Sequence, residues 1–242
     1  MKTQKVLGLS FFEGDLEASI LQAQEGGLLV APSAPILTDL AHNPAHREAL
    51  EQADLVLPDS GLMVLLWNLI SKKRLIKISG YLFLKRFLDI LDSSTFWVMP
   101  REEEMIAILQ WLKDEKGLPV SPQQCYLAPF YKSGAIDDQA LLELIQTQKP
   151  KTIIINIGGG VQERLGLFLR KQLDYKPTII CTGAALAFLA GTQAAIPLWV
   201  DRLYLGWLAR CLQNPKVFVP RYWNAFKLVP ILLKYKDKSP AA

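Results

Sequence analysis

ADLVLPDSGLMVLLW, residues 53–67, is an apolar run of strand character that stops at Pro58-Asp59-Ser60 and restarts with helical period. A buried strand handing over to a helix through a short polar turn is the unit from which parallel sheets are built. It raises one chemical question, which is why a carboxylate, Asp59, stands at the junction.

The same unit recurs along the chain. Apolar, β-rich runs at Val6–Phe11, Gly27–Ala31, Ala53–Leu57, Thr95–Met99, Cys125–Ala128, Thr152–Ile157 and Thr178–Thr182 alternate with segments of helical period. Those segments are Leu16–Gln24, Pro44–Gln52, Gly61–Leu69, Leu82–Leu91, Glu102–Glu115, Asp137–Gln148 and Gln162–Gln172. Strands that are continuously hydrophobic need cover on both faces, so the expected fold is α/β, a Rossmann-like, doubly wound and mainly parallel sheet. Beyond about Ala190 the strand signal ends. The expected organisation is a core over residues 1–195 and a helical, basic and aromatic appendage over 196–242, broken by Pro197, Pro215, Pro220 and Pro230.

Bulk composition narrows the chemistry. With 242 residues, half of them apolar and 21% charged, the chain holds enough apolar surface for a sizeable core. Three widely spaced cysteines, Cys125, Cys181 and Cys211, form no CxxC pair and suit a reducing compartment. Only two histidines, His42 and His46, are present, both in a short polar stretch that reads as surface, so a His/Cys zinc cage or a Ser-His-Asp triad is poorly supported. The first residues carry Glu13, Asp15 and Glu17 before any apolar run reaches signal-peptide length, and no stretch of twenty residues elsewhere is free of both charge and proline.

The net charge of +4 is unevenly placed: residues 198–242 hold eight basic side chains against two acidic ones, and the rest of the chain is slightly acidic. Interleaved with those cations are Trp199, Tyr204, Trp207, Phe218, Tyr222, Trp223 and Phe226. Aromatics plus cations suit a segment lying in a lipid headgroup layer. Helices packed on the core with solvated lysines explain part of the same pattern. No nucleic-acid-binding motif accompanies the charge, so nucleic acid is not an expected partner.

Three strand-to-helix junctions carry candidate chemistry, because ligands in open parallel sheets bind beyond the carboxyl ends of the strands. At the first, Asp59 reads either as a helix cap, the commoner use of Asp there, or as a general base kept ionised by the helix N-terminus; the two roles are compatible. At the second, TIIINIGGGVQERLGLFL (152–169), Gly158, Gly159 and Gly160 permit close backbone approach to a diphosphate, or simply form a tight turn needing positive φ. The GxGxxG spacing of a dinucleotide site is absent. Gln162 and Glu163 follow as caps or as ligand-binding groups. At the third, CTGAALAFLAG (181–191), the alanines suit helix packing and Gly183, directly after the strand, suits a ligand.

Taken in order, EALEQADLVLPDSG, IKISG, KPKTIIINIGGGVQE, FLAGTQAAIPLW and LGWLARCLQNPKVFVPRYW resemble the WecG/TagA/CpsF glycosyltransferase family over nearly the whole chain. The resemblance implies a bacterial enzyme of surface-polymer assembly. It would move a sugar, typically N-acetylmannosamine or its uronic acid, from a UDP-sugar to a polyprenyl-diphosphate-linked N-acetylglucosamine, with inversion and at the cytoplasmic face of the membrane. It places the base on Asp59, the nucleotide-sugar site on Ser33, Gly158, Gly159, Gly160, Gln162, Glu163 and Gly183, and acceptor or leaving-group contacts on Arg210 and Arg221. No cofactor and no metal is expected, since no DxD-type clamp ends a strand and arginines and helix N-termini are left to neutralise the diphosphate. A homo-oligomer is left open.

Several polar positions depart from that family. Ala31 and Ser33 stand in a TPNA-like run, Leu82 replaces an acidic residue, Val161 a lysine and Ala187 an aspartate; Ala195 begins what is usually RAP, and Met99-Pro100 replaces a glycine pair. Each lost hydrogen bond to substrate costs about 1 kcal/mol or more. Two readings follow from the sequence, a peripheral membrane glycosyltransferase or a non-catalytic scaffold derived from one.

Overall fold

The computed structural model describes residues 1–91, 93–192, 200, 204, 206–213 and 215–240. Its centre is an eight-stranded sheet of order β1-β2-β4-β3-β8-β7-β5-β6. The strands are β1 (Thr3–Val6), β2 (Leu9–Phe12), β3 (Gly27–Val30), β4 (Leu55–Val56), β5 (Thr95–Met99), β6 (Cys125–Leu127), β7 (Thr152–Ile155) and β8 (Thr178–Cys181). All pairings from β2 to β6 are parallel, and only the edge strand β1 runs antiparallel to its neighbour.

Helices cover both faces, as the continuously apolar strands require. Because side chains alternate along a strand, Leu28 and Val30 of β3, Phe96 and Val98 of β5, and Ile153 and Ile155 of β7 enter one core layer. Their neighbours Leu29, Trp97 and Ile154 enter the other. The second layer is covered by α1 (Leu16–Ala23), α5 (Gly80–Phe87), α6 (Glu102–Lys116) and α9 (Ala185–Leu189). The first layer is covered by α2 (Ala34–Thr38), α3 (Pro44–Glu51), α4 (Gly61–Ile70), α7 (Gln139–Gln148) and α8 (Val161–Gln172).

Two expectations need correction. The run Val6–Phe11 is not one strand but the turn of a hairpin: β1 and β2 pair through Val6 and Leu9, and both loop residues, Leu7 (φ 52) and Gly8 (φ 81), take positive φ. Such a turn follows the twist of the strands, but Leu-Gly in place of Asn-Gly hides it in the sequence. His46, read as a surface residue, is 2% exposed and packs at the start of α3 under the glycine-rich junction.

Beyond the core lie α10 (Gly206–Gln213), α11 (Pro215–Ala225) and α12 (Leu228–Tyr235). Pro215 opens α11 and Pro230 falls in the first turn of α12, where proline is tolerated, whereas Pro220 lies inside α11 and does not end it. The described part of the tail is seated on the core. Ala225, Leu228 and Leu232 belong to the first core layer, and α12 packs against α2 and α4. The backbone N–H groups of Leu7 and Gly8 donate to the carbonyls of Lys236 (2.7 Å) and Asp237 (3.1 Å), so the end of the chain fastens the hairpin near its start.

Leu232→Ala removes a fully buried side chain and should cost about 2–5 kcal/mol. Thermal unfolding should show one transition at lower temperature, not a separate early melting of the tail.

Candidate active site

Parallel register brings four strand ends to one level. Val30 pairs with both Val56 and Cys181, and Ile154 pairs with Ile180, so β4, β3, β8 and β7 finish side by side. The loops that follow them surround one cavity of about 420 Å³. Ala31 and Ser33 enter it after β3, Asp59 and Ser60 after β4, Asn156 to Gly159 after β7, and Thr182 to Ala184 after β8.

The opening question about Asp59 resolves geometrically. The cap of α4 is Ser60, whose hydroxyl accepts the Met63 N–H at 3.2 Å. Asp59 is thereby released from α4, and its Oδ1 accepts the Gly80 N–H at 2.8 Å, at the first residue of α5. Ser79, the residue flanking that helix, makes no side-chain cap bond of its own. The carboxylate thus stands on the cavity wall at the N-terminal ends of two helices, where negative charge is favoured.

In the glycine junction Gly158 and Gly159 line the cavity, while Gly160 (φ 87) is the residue whose backbone needs the positive-φ region. Gln162 lines the cavity and Glu163 lies beneath it. The Glu163 carboxylate, fully buried, accepts the Gly160 N–H at 2.6 Å with one oxygen and the Gln162 side-chain amide at 2.9 Å with the other. The Gln162 side-chain oxygen Oε1 accepts the Gly183 N–H at 3.1 Å. Two adjacent side chains therefore tie the β7 loop to the β8 loop. Glu163 supports this wall from behind.

Three buried polar atoms around the cavity have no hydrogen-bond partner among the described residues: Ser33 Oγ, Asn156 Nδ2 and Trp207 Nε1. Leaving such a group unsatisfied costs about 1–3 kcal/mol, a penalty that a ligand offering acceptor atoms removes. Asn156 is 4% exposed and directly follows the three isoleucines that end β7. That polar residue between Ile155 and Ile157 was the signal available in the sequence. Lys77, just before α5, Tyr81, in its first turn, and Tyr204, Trp207 and Tyr222, from the tail, also line the wall. The tail aromatics read as lipid-facing thus divide. Trp207 stacks edge-on with Phe226 and lies near Tyr222 over the cavity, while Trp223 is 75% exposed.

Arg210 and Arg221 fall on α10 and α11, the helices that supply Trp207 and Tyr222, but their side chains lie outside the described residues, as does Ala195. Leu82 sits in α5 beside the cavity residue Tyr81, and Ala187 is fully buried in α9. Among the described residues no group of three or more His, Cys, Asp or Glu side chains is placed to hold a metal ion.

Two predictions come from this wall. Burial lowers the His46 pKa below its ordinary value of 6.5, opposed by Glu163, whose carboxylate is 3.8 Å away. The unfolded chain then binds more protons than the folded one, so the stability tied to neutral His46 is present above pH 6.5 and lost as pH falls below it. Melting temperature should drop from pH 7 to 5, and His46→Gln should flatten that dependence. Asn156→Leu removes the orphaned amide and should stabilise the unliganded protein by roughly 1 kcal/mol, while abolishing the melting-temperature gain that a bound ligand confers.

Comparison with known sequences agrees with this arrangement. A family profile described as Glycosyl transferase WecG/TagA/CpsF family matches residues 5–241. No protein of curated function matches the chain significantly. A match over nearly the whole chain covers the strand-end loops, the cavity and the tail together, so the chain belongs to the WecG/TagA/CpsF glycosyltransferase family and is an enzyme of that class.

Proposed function

We propose that the enzyme moves an N-acetylmannosamine-type sugar from a UDP-sugar to a polyprenyl-diphosphate-linked N-acetylglucosamine, with inversion, in bacterial cell-surface polymer assembly. The observation that carries this reading is that Asp59 and the Gly158-Gly159 backbone face one cavity at the carboxyl ends of parallel strands. A single inverting displacement needs one base and a cradle for the departing diphosphate, the roles this reading gives to Asp59 and to the Gly158-Gly159 backbone.

In the proposed step the acceptor hydroxyl oxygen attacks the anomeric carbon as Asp59 takes its proton. The bond from that carbon to the diphosphate oxygen breaks, and UDP departs with the electron pair. Gly158, Gly159 and Gly183 offer backbone approach to the donor, Gln162 holds Gly183 in place, and Ser33 and Asn156 offer side-chain hydrogen bonds. Gly160 and Glu163 support this wall from beneath. Lys77, on the cavity wall, with Arg210 and Arg221 on the tail helices, is assigned to the diphosphates of donor or acceptor.

Tail helices carrying exposed Leu212, Trp223 and Phe226 support action at the inner surface of the cell membrane. No described helix is long and apolar enough to cross a membrane.

The test is turnover of UDP-N-acetylmannosamine with a short-chain lipid-diphosphate N-acetylglucosamine. Asp59→Asn keeps an oxygen for the Gly80 N–H and should lower kcat by about 10²–10⁴ with little change in melting temperature. Equal turnover by wild type and Asp59→Asn would remove Asp59 as the base. UDP alone should raise the melting temperature, and no shift at millimolar UDP would count against the donor assignment.

A further inference from the structure

The cavity's neighbour on the core surface is a patch that the tail does not supply. Helix α4 buries Leu62, Met63, Val64 and Trp67, yet its last turn leaves Leu69 82% and Ile70 39% exposed. The chain continues through Lys72, Lys73 and Arg74, all exposed, and then turns Ile76 out at 66% while Leu75 is buried. None of the three cations makes an ion pair among the described residues. The segment is held in shape by the Asn68 side chain, which donates to the Leu75 carbonyl at 2.9 Å and accepts its N–H at 2.8 Å.

Asn68 thus fixes a loop whose outward side is apolar and cationic together. One residue beyond Ile76, Lys77 is on the cavity wall. Helix α10, with exposed Leu208 and Leu212, packs beside α4.

We infer that the loop from Leu69 to Ile76 is a membrane-docking surface for anionic lipid, carried by the catalytic core and separate from the appendage. Leu69, Ile70 and Ile76 would enter the boundary between headgroups and acyl chains, and Lys72, Lys73 and Arg74 would lie among anionic headgroups. Charge complementarity selects this occupant: three adjacent unpaired cations on an apolar rim repel a second copy of the same face, and they match a negatively charged leaflet. Docking here sets the cavity mouth beside the bilayer, where a lipid-linked acceptor presents its diphosphate. The inference rests on the membrane-surface part of the proposed function and not on the identity of the sugar.

The experiment is sedimentation of the full chain with phosphatidylcholine vesicles, with and without phosphatidylglycerol. Wild type should bind the phosphatidylglycerol vesicles and release with salt. The triple variant Lys72→Gln, Lys73→Gln, Arg74→Gln should bind on the order of a hundredfold more weakly, given the contribution of each cation near a charged leaflet. Leu69→Ser with Ile76→Ser should weaken binding about tenfold while keeping the salt dependence. Both variants should keep the wild-type melting temperature and turn over a water-soluble short-chain acceptor as wild type does.

Wild-type affinity in both variants would assign docking to the tail alone and overturn the inference. So would failure of wild type to bind phosphatidylglycerol vesicles. A loss of dimer mass in the apolar variant by analytical ultracentrifugation would also overturn it and give the face to a second copy. Patch-dependent vesicle binding by a wild type inert toward every nucleotide sugar would uphold this surface while removing the proposed donor chemistry.

Discussion

Level parallel pairing of β4, β3, β8 and β7 is the constraint on which the site depends. Each strand ends within one residue of its neighbour, so four loops far apart in sequence open onto the same space. The pairing is supported from outside the cavity. Asp54, at the start of β4, accepts the Leu28 N–H at 2.8 Å and holds Arg170 of α8 through both oxygens, at 2.5 and 3.0 Å. One half-buried carboxylate thus locks β3, β4 and α8, the elements that carry Ser33, Asp59 and Gln162. A slip in this register would carry Asp59 away from Gly158 and leave each group intact but useless.

Polar side chains in this molecule divide by what satisfies them. Glu163, Gln162 and the Gly80 contact of Asp59 are paired within the protein and serve to hold loops at fixed separations. Ser33 Oγ, Asn156 Nδ2 and Trp207 Nε1 have no such partner among the described residues, and their unmet bonding capacity is stability given up in the unliganded state. Preorganisation of this kind is favourable for transfer chemistry, because donors already aimed at a substrate need no rearrangement as charge develops. Of the positions that depart from the family pattern, Ala31 lines this wall, whereas Ala187 is buried in α9 and Leu82 lies beside Tyr81 in α5. Ser33, Asp59, Asn156 and Gln162 are among the hydrogen-bonding groups of the wall.

The tail joins both halves of this picture. Its inner aromatics, Tyr204, Trp207 and Tyr222, close the cavity, and its last helix fills the core layer and fastens the β1–β2 turn. Outward residues such as Trp223 stay in solvent. A single amphipathic segment therefore bears on stability and on the walls of the site while leaving other aromatics in solvent, so its sequence pattern alone admitted both the lipid-facing and the core-packed readings.

Alternation of apolar strands with helices was legible because burial on both faces of a parallel sheet leaves no freedom in residue type, and the junctions at Asp59, Gly158 and Gly183 followed from it. The hairpin at Leu7-Gly8 was not legible, since its positive-φ turn is held by Lys236 and Asp237 from the far end of the chain. Nor was the division of labour between Gln162 and Glu163, adjacent and mutually hydrogen-bonded residues of which only Gln162 reaches the cavity. The sequence by itself determined the fold class, the family and the loops that face the cavity, because these depend on local periodicity and motif order. Only the tertiary structure decided which helix Asp59 caps, which buried amide lacks a partner and which tail aromatics reach the cavity, because each is a contact between segments that no local pattern encodes.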